Sequence, residues 1–171
     1  IESLVGMLDS PNAWQRDTAQ RLLVERKDPA SPPILSRFAR TAGTEKGRIH
    51  GLWTLDGINA LDDGAIRDAL ADTRPRVREQ AARLAEGRPA LVVDLAALAD
   101  DPDPRVRFRV TLSLPVSDAP AVRRARARIL ARDAESPWTT TAVLSGISPE
   151  AEGFLAELLS PGNGWDTEEN L

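Results

Sequence analysis

A heptapeptide frame returns along this chain at intervals of roughly thirty residues, and few architectures tolerate such a period. Asp72-Thr-Arg-Pro-Arg-Val-Arg78 and Asp101-Pro-Asp-Pro-Arg-Val-Arg107 carry it 29 residues apart. Looser copies lie at Ser10-Pro-Asn-Ala-Trp-Gln-Arg16 and Thr44-Glu-Lys-Gly-Arg-Ile-His50, so the last positions fall at 16, 50, 78 and 107, spaced by 34, 28 and 29 residues. A weaker copy begins near Ser136-Pro-Trp138, and the stretch from Leu158 to Thr167 echoes that from Leu8 to Thr18. A fixed period of this size implies units that cannot bury their apolar faces alone and close them only by stacking.

The segments between frames read as helices. Apolar residues recur at three-and-four spacing in Ile1, Leu4, Val5, Leu8, in Ile34, Leu35, Phe38, Ala42, in Leu91, Leu95, Leu98, Ala99, and in Ala151, Phe154, Leu155, Leu158. Alternation with period two is nowhere sustained. Prolines stand in first-turn positions such as Pro104 behind a capping Asp103, or just past helix ends such as Pro115. The chain is therefore expected to be all-α, a single domain over 1–171, with repeats near 1–27, 32–59, 62–86, 89–115 and 120–147 and a partial one over 149–171. Beginning at Ile1 without Met, it reads as a module of something longer.

Composition removes whole classes of chemistry. Without cysteine there is no disulfide, thiolate nucleophile, zinc–thiolate site, iron–sulfur cluster or covalently attached haem. The single histidine, His50, has no second His or Cys to complete a metal site. Glycine-rich phosphate loops and the Gly-x-Ser-x-Gly elbow are missing. Asp62-Asp63 and Asp100 to Asp103 lack the ligand loop of a calcium site and read as helix caps. No cofactor and no metal are expected. The net charge of −4 provides no global attraction for nucleic acid, and no stretch reaches the ~20 apolar residues of a membrane-spanning helix.

Within the frame, an acid or hydroxyl precedes a base by six positions: Asp72 and Arg78, Asp101 and Arg107, Ser10 and Arg16, Thr44 and His50. The pattern predicts a structural ladder, the Asp capping the next helix start while an Arg of a neighbouring helix reaches it with its forked donor. An anion site built from stacked Arg16, Arg78 and Arg107 is the competing reading. Trp53, standing where other copies carry Ala19, Ala81 or Val110, is expected to pack, with cofactor stacking as the alternative.

Charge is polarised along the chain. Residues 72–133 carry 13 basic and 9 acidic side chains, the remainder 9 and 17. Arg123, Arg124, Arg126, Arg128 and Arg132 crowd one helix, which reads as a solvated outer face or a surface for phosphates or an acidic partner. Phe108, flanked by Arg105 and Arg109, fills a position held elsewhere by Asp17, Gly51 and Glu79, which predicts exposure and a partner contact. Trp14 and Trp165 are placed to cover a repeat edge or meet a neighbouring domain.

The frames centred on Val77 and Val106 resemble short bacterial HEAT repeats. More narrowly, Pro11 to Leu23 together with Gly47 to Gly57 is similar to the HEAT segment of planctomycete-type membrane-bound dehydrogenases, large proteins in which that segment joins a sugar-dehydrogenase-like propeller to a haem-binding cytochrome c module. The resemblance implies a right-handed α-α superhelix of about five helix pairs. It also implies a non-catalytic scaffold or spacer whose partners are the flanking propeller and cytochrome c domains, in an exported protein. A second reading is nucleic-acid binding of the HEAT-like alkylpurine DNA glycosylase type, motivated by the arginines of 72–133. A phycobilin-lyase-like protein ranks last.

Overall fold

Short polar side chains set the helix starts. In the computed structural model, which describes residues 1–147 and 151–160, Asn12, Thr44, Asp62, Asp103 and Ser136 each accept a backbone N–H from the first turn they precede. Proline occupies the first turn of five α-helices, where its missing N–H costs nothing. Among the described residues these signals produce eleven α-helices, two 3-10 turns and no strand. The all-α expectation is met.

The chain divides into two compact units, Ile1–Leu84 and Ala85–Leu171. The first contains α1 (Glu2–Met7), α2 (Ala13–Arg26), α3 (Ser31–Thr41), α4 (Glu45–Gly57), α5 (Asp63–Leu70) and α6 (Pro75–Leu84). Sequence neighbours pair as α1 with α2, α3 with α4 and α5 with α6. Alternate helices then pack in two rows, α1–α3–α5 and α2–α4–α6. Leu8, Leu23, Leu35, Leu52, Leu55, Ile66 and Val77 are essentially sealed from solvent between the rows, each such burial contributing about 1.5–3 kcal/mol. Helices α3 and α4 approach closely at Gly51, where a Cβ would lie 3.1 Å from the Ala39 Cα.

The second unit holds α7 (Val92–Ala97), flanked by 3-10 turns at Pro89–Leu91 and Leu98–Asp100, then α8 (Pro104–Ser113), α9 (Pro120–Arg132), α10 (Pro137–Ser145) and α11 (Ala151–Leu158). Here too α7 packs on α9, α9 on α11 and α8 on α10. The stripe expected for one helix through Leu91, Leu95 and Ala99 is buried, but the backbone tightens to 3-10 at both ends, as short helices do. In α11 Phe154 and Leu158 face inward while Leu155 is left outside. Among the described residues no helix is long and apolar enough to cross a membrane.

Candidate functional site

A side chain on the fourth residue of a helix leans back toward the N-terminus and covers the turn that leads in. Every second helix of a pair places a donor there. Arg16 Nη1 donates to the Ser10 carbonyl at 2.7 Å and to Pro11 at 3.1 Å. Arg48 Nε donates to Ala42 at 3.2 Å, Arg78 Nη1 to Asp72 at 2.8 Å, and Arg107 Nη1 to Asp101 at 2.6 Å and Pro102 at 3.2 Å. In α10 the Thr140 hydroxyl makes the shortened equivalent, 3.4 Å from the Ala134 carbonyl. In all five cases one carbonyl lies six residues before the donor.

This geometry moves one register. Frames ending at Arg16, Arg78 and Arg107 stand as the sequence set them, but the second copy ends at Arg48 instead of His50. Thr44 is the N-cap of α4 and not the first frame position, its hydroxyl oxygen accepting the Gly47 N–H at 3.0 Å. Counting from helix starts gives spacings of 32, 30 and 29 residues between Arg16, Arg48, Arg78 and Arg107.

The remaining guanidinium donors reach forward by one helix pair. Arg48 Nη1 pairs with the Asp72 carboxylate, whose other oxygen accepts the Arg74 N–H at 2.8 Å. Arg107 grips Asp133 through Nε, at 2.7 Å, and Nη2. That carboxylate holds the Arg107 pKa above its ordinary range, chiefly by hydrogen bonding. A cation in a first helical turn opposes the helix dipole, and these carboxylates offset the penalty. Asp72 thus takes the Arg of a neighbouring helix on its carboxylate, while Arg78 of its own frame meets it through the Asp72 backbone oxygen. Asp101 likewise meets Arg107 through its backbone oxygen, while the Asp101 carboxylate accepts the Asp103 N–H at 2.9 Å.

His50 takes the acceptor place opposite Arg16. Its Nε2 accepts from Arg16 Nε at 3.3 Å, and its Nδ1 lies 2.6 Å from Gln20 Oε1, which assigns the proton to Nδ1. Burial lowers its pKa, the Arg16 charge lowers it further, and Asp17 opposes both. The Trp53 indole donates to Gln80 at 3.0 Å, with Arg83 stacked 5.3 Å from the ring centroid, so α4 and α6 are joined on this face as well.

The arginines that the competing reading assigns to an anion site are committed elsewhere. Arg16 and Arg107 are 8% and 5% exposed, their donors turned to carbonyls, His50 and Asp133. On α9, Arg126 is buried rather than solvated and binds the Leu114 and Pro115 carbonyls at 3.0 Å, a cation at the C-terminus of α8 where the dipole favours it. Burial pushes its pKa down. Gly146 makes room for it: a Cβ there would come within 2.4 Å of the guanidinium. Arg123 is held by Asp118 and Arg128 by Asp100. Arg124 is exposed, without a partner among the described residues.

Phe108 is half-buried instead of exposed; of the arginines that flank it, Arg105 is exposed and Arg109 half-buried. Trp14 is 70% exposed at the second residue of α2, and Trp138 is 79% exposed at the same position of α10. Trp165 lies outside the described residues.

Two clefts indent the units. One of about 360 Å³ opens among α3 to α6, and its charges pair with one another as Arg40–Asp68 and Arg48–Asp72. The other, about 570 Å³ and almost wholly apolar, is lined by Leu130, Leu144, Ile147, Phe154, Leu155 and Leu158. Among the described residues no group of three or more acids and histidines is placed to hold a metal ion. Comparison of the chain with protein-family models, curated proteins and solved structures finds no match.

Replacing Asp133 by Ala strands a guanidinium that is 6% exposed and is expected to lower unfolding free energy in urea by about 3 kcal/mol. Asp68→Ala, in an exposed pair, is expected to cost less than about 1 kcal/mol; equal losses would contradict the assignment. For His50, the folded pKa lies below the ordinary 6.5, so between the two values the unfolded chain binds more protons. Its contribution is complete above 6.5, declines as pH falls toward the folded pKa, and is gone below it. His50→Gln is expected to flatten the fall in melting temperature over that window, and an unchanged pH profile would refute the neutral-acceptor role.

Proposed function

We propose that the chain is a HEAT-type module, a right-handed α-α superhelix of about five helix pairs that binds or spaces protein domains without catalysis. The observation that carries this reading is the latch at the fourth residue of five successive second helices. One contact reused at one register is what a stack of equivalent units requires. Packing of like-ranked helices into rows within each unit supports it further. On the chemical side, the best-buried charged groups are consumed in holding helices together, and they form no set of acid, base and nucleophile around a cleft.

Given the sequence resemblance, the partners proposed are a sugar-dehydrogenase-like propeller and a cytochrome c domain, which the module would hold apart at a fixed spacing. The base-excision reading is weaker. Arg74, Arg76, Arg78, Arg107, Arg123, Arg126, Arg128 and Arg132 have protein partners, leaving few of the cations from 72–133 to contact phosphates.

The test mixes the purified chain with a propeller domain and a cytochrome c domain of that type, read by titration calorimetry, and assays the chain alone for sugar oxidation with a dye acceptor and for release of alkylated bases from DNA. Association with at least one domain and no turnover by the chain alone are the expected results. Turnover in either assay, or no association with either domain, would overturn the proposal.

A further inference from the structure

We infer that the outer face of α8, together with the first turn of α10, is a docking surface for an acidic protein segment that carries apolar anchors. This inference rests on the scaffold reading and names a surface and a partner chemistry for it.

The α8 residues Arg105, Phe108, Arg109 and Leu112 are spaced i, i+3, i+4 and i+7, a complete helical stripe. The inward face of the same helix is accounted for by Val106, Arg107 and Val110, all buried. The stripe turns the other way: Leu112 is 42% exposed, Phe108 and Arg109 are half-buried, and Arg105 is exposed. Helix α10 packs beside α8. Its Trp138 stands at the second helical residue, the position Arg105 holds in α8. A largely exposed indole thus lies one helix over from an aliphatic and aromatic stripe edged by two cations.

Charge selects the partner. On α8 and α9, Arg107, Arg123 and Arg128 each have a carboxylate. Arg105 and Arg109 have none among the described residues, although the molecule as a whole has excess acid. Of the nearby acids, Asp103 uses its carboxylate to cap α8, accepting the Arg105 N–H at 2.8 Å, and Glu135 is exposed ahead of α10. Two unmatched guanidinium groups beside Trp, Phe and Leu side chains fit a segment in which carboxylates flank apolar residues, the combination in which Trp and Arg act as binding anchors. Two cations in a net-acidic protein are a thin electrostatic footing for nucleic acid.

The experiment uses the full chain and a fluorescein-labelled synthetic peptide of Glu and Asp with Leu and Phe at helical spacing, read by fluorescence anisotropy. The same peptide with Lys in place of its acids, and a single-stranded oligonucleotide, serve as competitors. The acidic peptide is expected to bind, and the double variant Arg105→Glu, Arg109→Glu to weaken it by about tenfold or more. Trp138→Ala is expected to weaken it by a similar factor. Lys46→Glu, on an exposed position of the other unit, is expected to leave binding unchanged, and all three variants are to retain the wild-type helical circular dichroism and melting. The inference is overturned if the folded protein ignores the acidic peptide, if binding survives the charge reversal, or if the oligonucleotide binds more tightly through the same residues. If the propeller or cytochrome c domain still associates in any of those cases, the surface is wrong and the scaffold reading stands; turnover by the chain would remove the scaffold reading itself.

Discussion

A guanidinium on the fourth residue of a helix, folded back over the carbonyls of the preceding turn, is the contact around which these helix pairs are arranged. It fixes the angle at which the chain enters each second helix, because one side chain restrains both the turn and the first helical turn. It satisfies carbonyls that the turn would otherwise leave without a partner. The same group has donors left over, and in Arg48 and Arg107 these reach a carboxylate of the following pair. Intra-pair geometry and inter-pair attachment are thereby coupled in one residue. Where the partner changes, the chemistry adapts: Arg16 meets a neutral imidazole, and in α10 a threonine replaces the arginine and keeps only the turn contact.

The functional reading follows from where charge is consumed and where it is left over. Buried arginines serve the seams between helices, so they are poor candidates for substrate chemistry despite their perturbed surroundings. What remains for a partner lies on the outer surfaces of the second helices, where exposed Trp14 and Trp138 hold the same position in the first and fifth of them.

Much of this was legible in the sequence, for identifiable reasons. Three-and-four spacing found the buried stripes because burial in a helix imposes that period, and the frames ending at Arg78 and Arg107 located the latch because Asp, Pro and Arg recur there at constant offsets. The second frame misled because chemical similarity was matched ahead of helix position: His50 resembled the missing base, while Arg48 held its place. Counting four residues from the N-cap Thr44 would have found it, and the same count from Ser136 reaches Thr140. Asp133 was hidden by one extra residue in its turn. Arg126 looked like one of five equivalent cations, since composition cannot reveal that α8 ends against it and that Gly146 leaves it space.

The central claim is that the latch arginines bind one helix pair to the next. A double-mutant cycle on Arg48 and Asp72, with Arg48→Met, Asp72→Asn and the combined variant unfolded in urea, tests it most directly. Asp72 is 4% exposed in its side chain and Arg48 24%, so a coupling energy of about 1.5 kcal/mol or more is predicted. A coupling indistinguishable from zero would mean that these seams close by apolar contact alone, and the arginine ladder would lose its place as the organising interaction.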